Sequence, residues 1–150
     1  MNISQNFTLE ELLRSETASR KNVSEQWTPS DAVKDNLKKL CDNVLEPLRS
    51  FVGKPLIITS GYRCKRVNKL VGGSPTSQHT EGKAADFHVS GMTVESLFKF
   101  IINLDLEFDQ IIQEFDAWVH ISFNAGKNRN EILRATKNGG KTVYNKVFKD

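Results

Sequence analysis

Cysteine and histidine are scarce in this chain, long apolar runs are missing, and each shortage narrows what the protein can be. Cys41 and Cys64 are the only cysteines among 150 residues, too few for a disulfide framework, so both are expected as buried or surface thiols. No apolar run approaches the ~20 residues that a membrane span requires. The opening residues, MNISQNFTLEELLRSET, lack the basic start, apolar core and small-residue cleavage site of a secretory signal. Synthesis in the cytoplasm is therefore expected, and any work outside it would need another agent to carry or release the chain. No internal repeat or low-complexity segment is present. Histidine occurs three times, as His79, His88 and His120, so any imidazole chemistry must use these.

What is present is ordinary for a soluble globular chain: 38% hydrophobic and 26% charged residues, in a length that suits a single domain with its own core. The formal charge of +3 conceals an asymmetry. Residues 126–150 carry seven Lys/Arg against Glu131 and Asp150, a basic extension that is either a solvated surface or a contact for an anionic partner such as cell-wall polymer. It has no aromatic stacking array and no recognised nucleic-acid motif, only Tyr144 and Phe148 among lysines, so nucleic acid is not an expected partner.

Hydrophobic periodicity and capping residues give the order of elements. Thr8 and Glu11 stand at capping-box spacing and begin a short helix. Residues 15–28 are polar and aperiodic and read as a surface loop. A longer helix opens at TPSD with Pro29 in its first position, and Val33, Leu37, Leu40, Val44, Leu48 and Phe51 form its apolar face. Pro47 is expected to kink or divide it. PLIITS reads as a buried strand, CKRVNKLVGG as a helix or turn, SPTSQHTEG as a loop and AADFHV as a strand. Thr93 caps an amphipathic helix carrying Leu97, Phe98, Phe100, Ile101 and Leu104. DQIIQEF and WVHISF read as a hairpin around Asp116 and Ala117. The fold class is α+β, with helices packed on a small, largely antiparallel sheet.

The stretch SQHTEGKAADFHV (77–89) raises a chemical question, because His79 and Asp86 could be two ligands of one metal ion or a loop residue and a strand end. Seven residues rise about 10.5 Å along a helix and about 23 Å along a strand, so shared coordination requires the chain to fold back between them. Gly82 lies where that reversal is needed. A catalytic zinc keeps three protein ligands and one open position. His120 is the obvious third, since Trp118, His120 and Ser122 share one strand face while Val119, Ile121 and Phe123 pack on the other. His88 shares the strand face of Asp86 and reads as an exposed strand residue, a supporting contact or an alternative ligand.

Three segments in this order, SGYR (60–63), SQHTEGKAADF (77–87) and WVHIS (118–122), resemble the zinc D-alanyl-D-alanine carboxypeptidase family, with its signature S-x-H-x-x-G-x-A-x-D and a downstream histidine strand. Ser77, His79, Gly82, Ala84 and Asp86 each fit it. The short single-domain branch found in phages and prophages is the most similar, over roughly residues 7–125. The resemblance implies the fold shared with the Hedgehog signalling domain, one zinc ion per chain held by His79, Asp86 and His120, and cleavage of peptide bonds in bacterial peptidoglycan stem or cross-bridge peptides by a monomer. It further implies that Arg63 assists the oxyanion, where a plain reading of that arginine is a loop-anchoring salt bridge. Ser77 and Gln78 would bind substrate backbone or brace the loop.

One position departs from the family. Hydrolysis needs a base to take a proton from water and return it to the leaving amine, and many members place a carboxylate three residues before the last histidine, where this chain has Ala117. Glu114 is the first replacement candidate and its reach depends on the turn. A two-residue loop turns it away from His120, whereas a three-residue loop, 115–117, pairs it with Trp118 on the His120 face. Asp116 and Asp109 are the alternatives, each equally a turn-former or solvated charge. A protein without any base would be a non-catalytic, zinc-stabilised binding or virion structural module.

Overall fold

The first helix starts where its capping residues place it. Thr8 Oγ1 accepts from the Glu11 N–H, and the Glu11 carboxylate accepts from the Thr8 N–H, opening α1 (Leu9–Leu13). The computed structural model describes residues 1–149. Residues 15–28 are not the expected loop: Ser15 caps a second helix, α2 (Glu16–Lys21), and a 3-10 turn, Ser24–Trp27, buries Gln26 completely. The Gln26 amide donates to the carbonyls of Leu13 and Tyr62 and accepts from the Cys64 N–H. A polar residue that reads as solvent-facing is instead bonded to the backbone of the SGYR segment.

The long helix begins two residues later than expected. Ser30, with its hydroxyl on the Val33 N–H, caps α3 (Asp31–Leu40), and Pro29 precedes the cap. A π-helical turn, Cys41–Leu45, then leads into α4 (Glu46–Val52), with Pro47 in the first turn of α4. Proline lacks an N–H and crowds the carbonyl four residues back, and a wider turn just before it relieves both. Past this turn the buried stripe runs through Leu48 to the partly buried Val52, while Phe51 is 61% exposed.

The remaining elements are β1 (Ile57–Ser60), α5 (Lys65–Leu70), β2 (Ala84–His88), α6 (Val94–Ile102, capped by Thr93), β3 (Gln110–Glu114), β4 (Trp118–Ser122), β5 (Glu131–Asn138) and β6 (Lys141–Lys146). They form one sheet in the order β1-β2-β4-β3-β5-β6. Every pairing is antiparallel except β3 with β5, so the architecture is α+β on a mixed, largely antiparallel sheet. β1 is outermost, not buried on both sides: Ile58 faces the core and Ile57 is 40% exposed. Phe100 of α6 likewise lies at the surface, while Leu97, Phe98, Ile101 and Ile102 are buried. Residues 126–149, read from the sequence as a basic extension, supply β5 and β6.

The sheet has two unlike faces. Ala85, Phe87, Ile111, Val119 and Ile121 belong to the hydrophobic core. On the other face, cross-strand register aligns one row, Asp86–His120–Ile112–Leu133–Lys146, and beside it a second, Trp118–Glu114–Ala135–Tyr144. Directly opposed residues on neighbouring strands share a face, so these rows bring four carboxylate, imidazole and phenol groups together. Both cysteines are buried and free, and burial pushes the Cys41 thiol up to about 12. No helix among the described residues is long and apolar enough to cross a membrane.

Candidate metal centre

His79 reaches the sheet from a 3-10 turn, Gln78–Glu81, that ends at Gly82. Gly82 takes φ +73°, its N–H returns to the His79 carbonyl, and an added Cβ would lie 2.7 Å from the Val33 carbonyl oxygen. The reversal and the close approach both require glycine. Asp86 and His120 are direct partners on β2 and β4. One donor atom from each of His79, Asp86 and His120 lies within 4.8 Å of the others, and all three residues are buried.

The tautomer of His79 follows from its surroundings. Nδ1 lies 2.7 Å from the Gly61 carbonyl oxygen, which can only accept, so Nδ1 carries hydrogen. Burial holds the ring below the ordinary histidine pKa, against the pull of Asp86. The ring is therefore neutral and Nε2 presents a lone pair. That nitrogen is buried with no hydrogen-bond partner among the described residues, 3.3 Å from Asp86 Oδ1. Two acceptors facing each other inside a protein repel unless a cation lies between them. Asp86 Oδ1 is also 2.9 Å from His120 Nδ1. A buried anion flanked by two imidazoles, one fixed by a backbone carbonyl, fits a divalent cation such as zinc.

The hairpin turn answers the register question. Glu114 pairs with Trp118, leaving Phe115, Asp116 and Ala117 as a three-residue loop in which Phe115 and Asp116 take φ of +60° and +55°. Glu114 thereby shares the face of His120, with Oε1 3.7 Å from His120 Nδ1. Burial, then the nearby Asp86 charge, raise the Glu114 pKa above that of an ordinary glutamate.

The other carboxylates lie elsewhere. Asp116 accepts from the Gln113 amide on the opposite face of the hairpin. Asp109 accepts from Gln78 Nε2 and from the backbone and guanidinium of Arg129.

Arg63 lines the same cleft of about 850 Å³ as the three clustered residues and Glu114. Its Nε is buried with no partner among the described residues, and burial lowers its pKa against the opposing charges of Asp86 and Glu114. Ser77 Oγ accepts from the His79 N–H at 3.2 Å, and Gln78 donates to Asp109 at 2.8 Å, so both brace the turn while lining the cleft. His88 lies opposite Ile57 at the far end of β2 and is not among the cleft residues.

Sequence reasoning missed four contributors. Gln26 ties the Gly61–Cys64 segment to the N-terminal helices, which no local pattern reveals. Lys137, Thr142 and Tyr144 enter the cleft from β5 and β6. The Gly139-Gly140 pair between two alternating segments was a usable hairpin signal, masked by the density of lysine.

No curated protein sequence matches the chain. Residues 5–122 match the family model for Peptidase M15, a span that contains His79, Asp86, Glu114 and His120. A match over most of the length, enclosing a buried cluster suited to a metal ion, means that the chain belongs to the peptidase M15 family.

Proposed function

We propose that this protein is a zinc-dependent peptidase that hydrolyses peptide bonds of bacterial peptidoglycan stem or cross-bridge peptides, as a D,D- or L,D-carboxypeptidase or endopeptidase. The observation that carries the reading is the convergence of His79, Asp86 and His120 with the Glu114 carboxylate beside them. His79, Asp86 and His120 would hold one zinc ion. When bound, zinc supplies Lewis-acid chemistry, polarising a carbonyl and lowering the pKa of water.

The chain's own residues do the rest. Glu114, with its raised pKa, takes a proton from the attacking water at a carboxylate oxygen and returns it to the leaving amine. Arg63 brings a half-buried guanidinium to the same cleft, where it stabilises negative charge developing on the carbonyl oxygen. Ser77 and Gln78 hold the His79 turn and offer polar edges to the substrate backbone. The setting that suits the resemblance to phage and prophage peptidases is a lytic, virion-associated or wall-remodelling role.

Ala117 in the usual base position favours the competing reading, a zinc-stabilised module without catalysis, and Glu114 on the face of His120 opposes it. Metal analysis with digestion of isolated peptidoglycan, with and without chelator and read by mass spectrometry, separates them. Zinc near one per chain with chelator-sensitive peptide cleavage supports the enzyme. Zinc without cleavage supports the module, and no metal overturns both.

A further inference from the structure

The family match ends at residue 122, but the cleft does not. Its wall continues through Arg129, Lys137, Thr142 and Tyr144. The cause is the parallel pairing of β5 with β3, which sets Ala135 opposite Glu114, and the β5–β6 pairing, which sets Tyr144 opposite Ala135. The cleft therefore has a floor that runs from Glu114 to the half-exposed Tyr144, with the fully buried Ala135 beneath it. One row further out, Lys137 stands opposite Thr142.

The charges on this floor are unequally engaged. Arg129 is held by Asp109, and Glu131 accepts from Gln110 and lies 3.7 Å from Arg129. Lys137 instead rests on a hydroxyl and an aromatic face, with Nζ 3.0 Å from Thr142 Oγ1 and 5.1 Å from the Phe115 ring centroid. Its ammonium keeps donors for an incoming acceptor. Tyr144 adds a phenol, and a cation with a neutral donor beside an open peptide-sized floor recognises a carboxylate.

We infer that Lys137 and Tyr144 form a carboxylate-binding subsite on the β5–β6 hairpin, which holds an acidic peptide across the floor while its scissile bond lies at Glu114; this rests on the peptidase reading. Strand spacing of ~4.8 Å and two steps of ~3.3 Å separate the Cα atoms of Glu114 and Lys137 by about 8 Å. The carboxylate therefore belongs to a residue about two or three positions from the bond that is cut.

The test uses the full chain and a panel of synthetic stem peptides in which each carboxylate in turn is converted to its amide. Binding is read by calorimetry and turnover separately. Wild type is expected to bind one free-carboxylate peptide about tenfold more tightly than its amide. K137M and Y144F should each reduce that preference, and K137R should keep it. In turnover the loss falls on KM and only for the free carboxylate, whereas a merely structural role of Lys137 against Phe115 would lower kcat for every peptide. A preference that survives K137M, or the absence of any preference or binding, overturns the subsite. A preference in binding with no cleavage of any peptide overturns the peptidase reading and leaves the subsite standing.

Discussion

Glu114 stands opposite Trp118 across the β3–β4 hairpin, and this pairing brings its carboxylate to 3.7 Å from His120 Nδ1. The E114Q variant keeps the shape and removes the proton acceptor. It is expected to lower kcat by about 10²- to 10⁴-fold while retaining zinc and thermal stability. Turnover of a stem peptide alongside metal content checks this, and unchanged kcat would move the base elsewhere.

The turn itself depends on the opposite face. Gln113 is almost fully buried and donates to both Asp116 and Glu95, while the Asp116 N–H returns to Gln113 Oε1 at 2.9 Å. These bonds hold two non-glycine residues at positive φ. Gln113→Leu should cost about 1–2 kcal/mol in urea unfolding, because the turn loses the bonds that Gln113 makes to Asp116 and Glu95. It should also lower kcat roughly tenfold with zinc affinity unchanged, since Glu114 loses its register and the metal cluster does not.

Gly61 supplies the carbonyl that fixes His79, and a Cβ there would run into the Leu12 carbonyl. Gly61→Ala should shift that carbonyl and weaken zinc binding by about 10- to 100-fold, as loss of a ligand-orienting contact does. Competition against a chromophoric chelator measures the change. Undiminished affinity would show that the Gly61 contact is dispensable.

Asp109 is a structural anion. Hydrogen bonds from Arg129 hold its carboxyl below the usual range, despite burial. A folded pKa depressed below the unfolded one contributes stability that is present above the unfolded value, near 3.9, and is lost as pH falls through the folded value. D109N should cost about 1–2 kcal/mol at neutral pH by weakening the charge-assisted bonds from Arg129, whose guanidinium remains largely solvated. It should also flatten the acid side of the stability curve below about pH 4. Parallel curves for the two proteins would refute the assignment.

Local rules carried much of the fold. Thr8 and Thr93 capped helices as their spacing indicated, Gly82 took the positive φ that a reversal demands, and the strands of the site were visible in their alternation. The site was legible as residues but not as distances. Whether Glu114 faced His120 hinged on Phe115 and Asp116 entering the left-handed region, which aspartate adopts more readily than most residues but phenylalanine does not announce. Gln26 was misread because burial of a polar side chain depends on backbone groups remote in sequence. Phe51 was misplaced because the π turn rotates the helix after it, and the C-terminal hairpin because charge hid its alternation.

The pairing of β5 with β3 has a consequence for the boundaries of a working fragment. A chain cut at residue 122, where the family match ends, would strip Gln110–Glu114 of its outer partner and turn the strand that carries Glu114 into an open edge. Unsatisfied N–H and C=O groups along five residues, with Ile111 and Ile112 among them, would template pairing with another copy. The lysine-rich hairpin thus works as a guard against self-association, and its charge is the kind that natural sheets use at such borders.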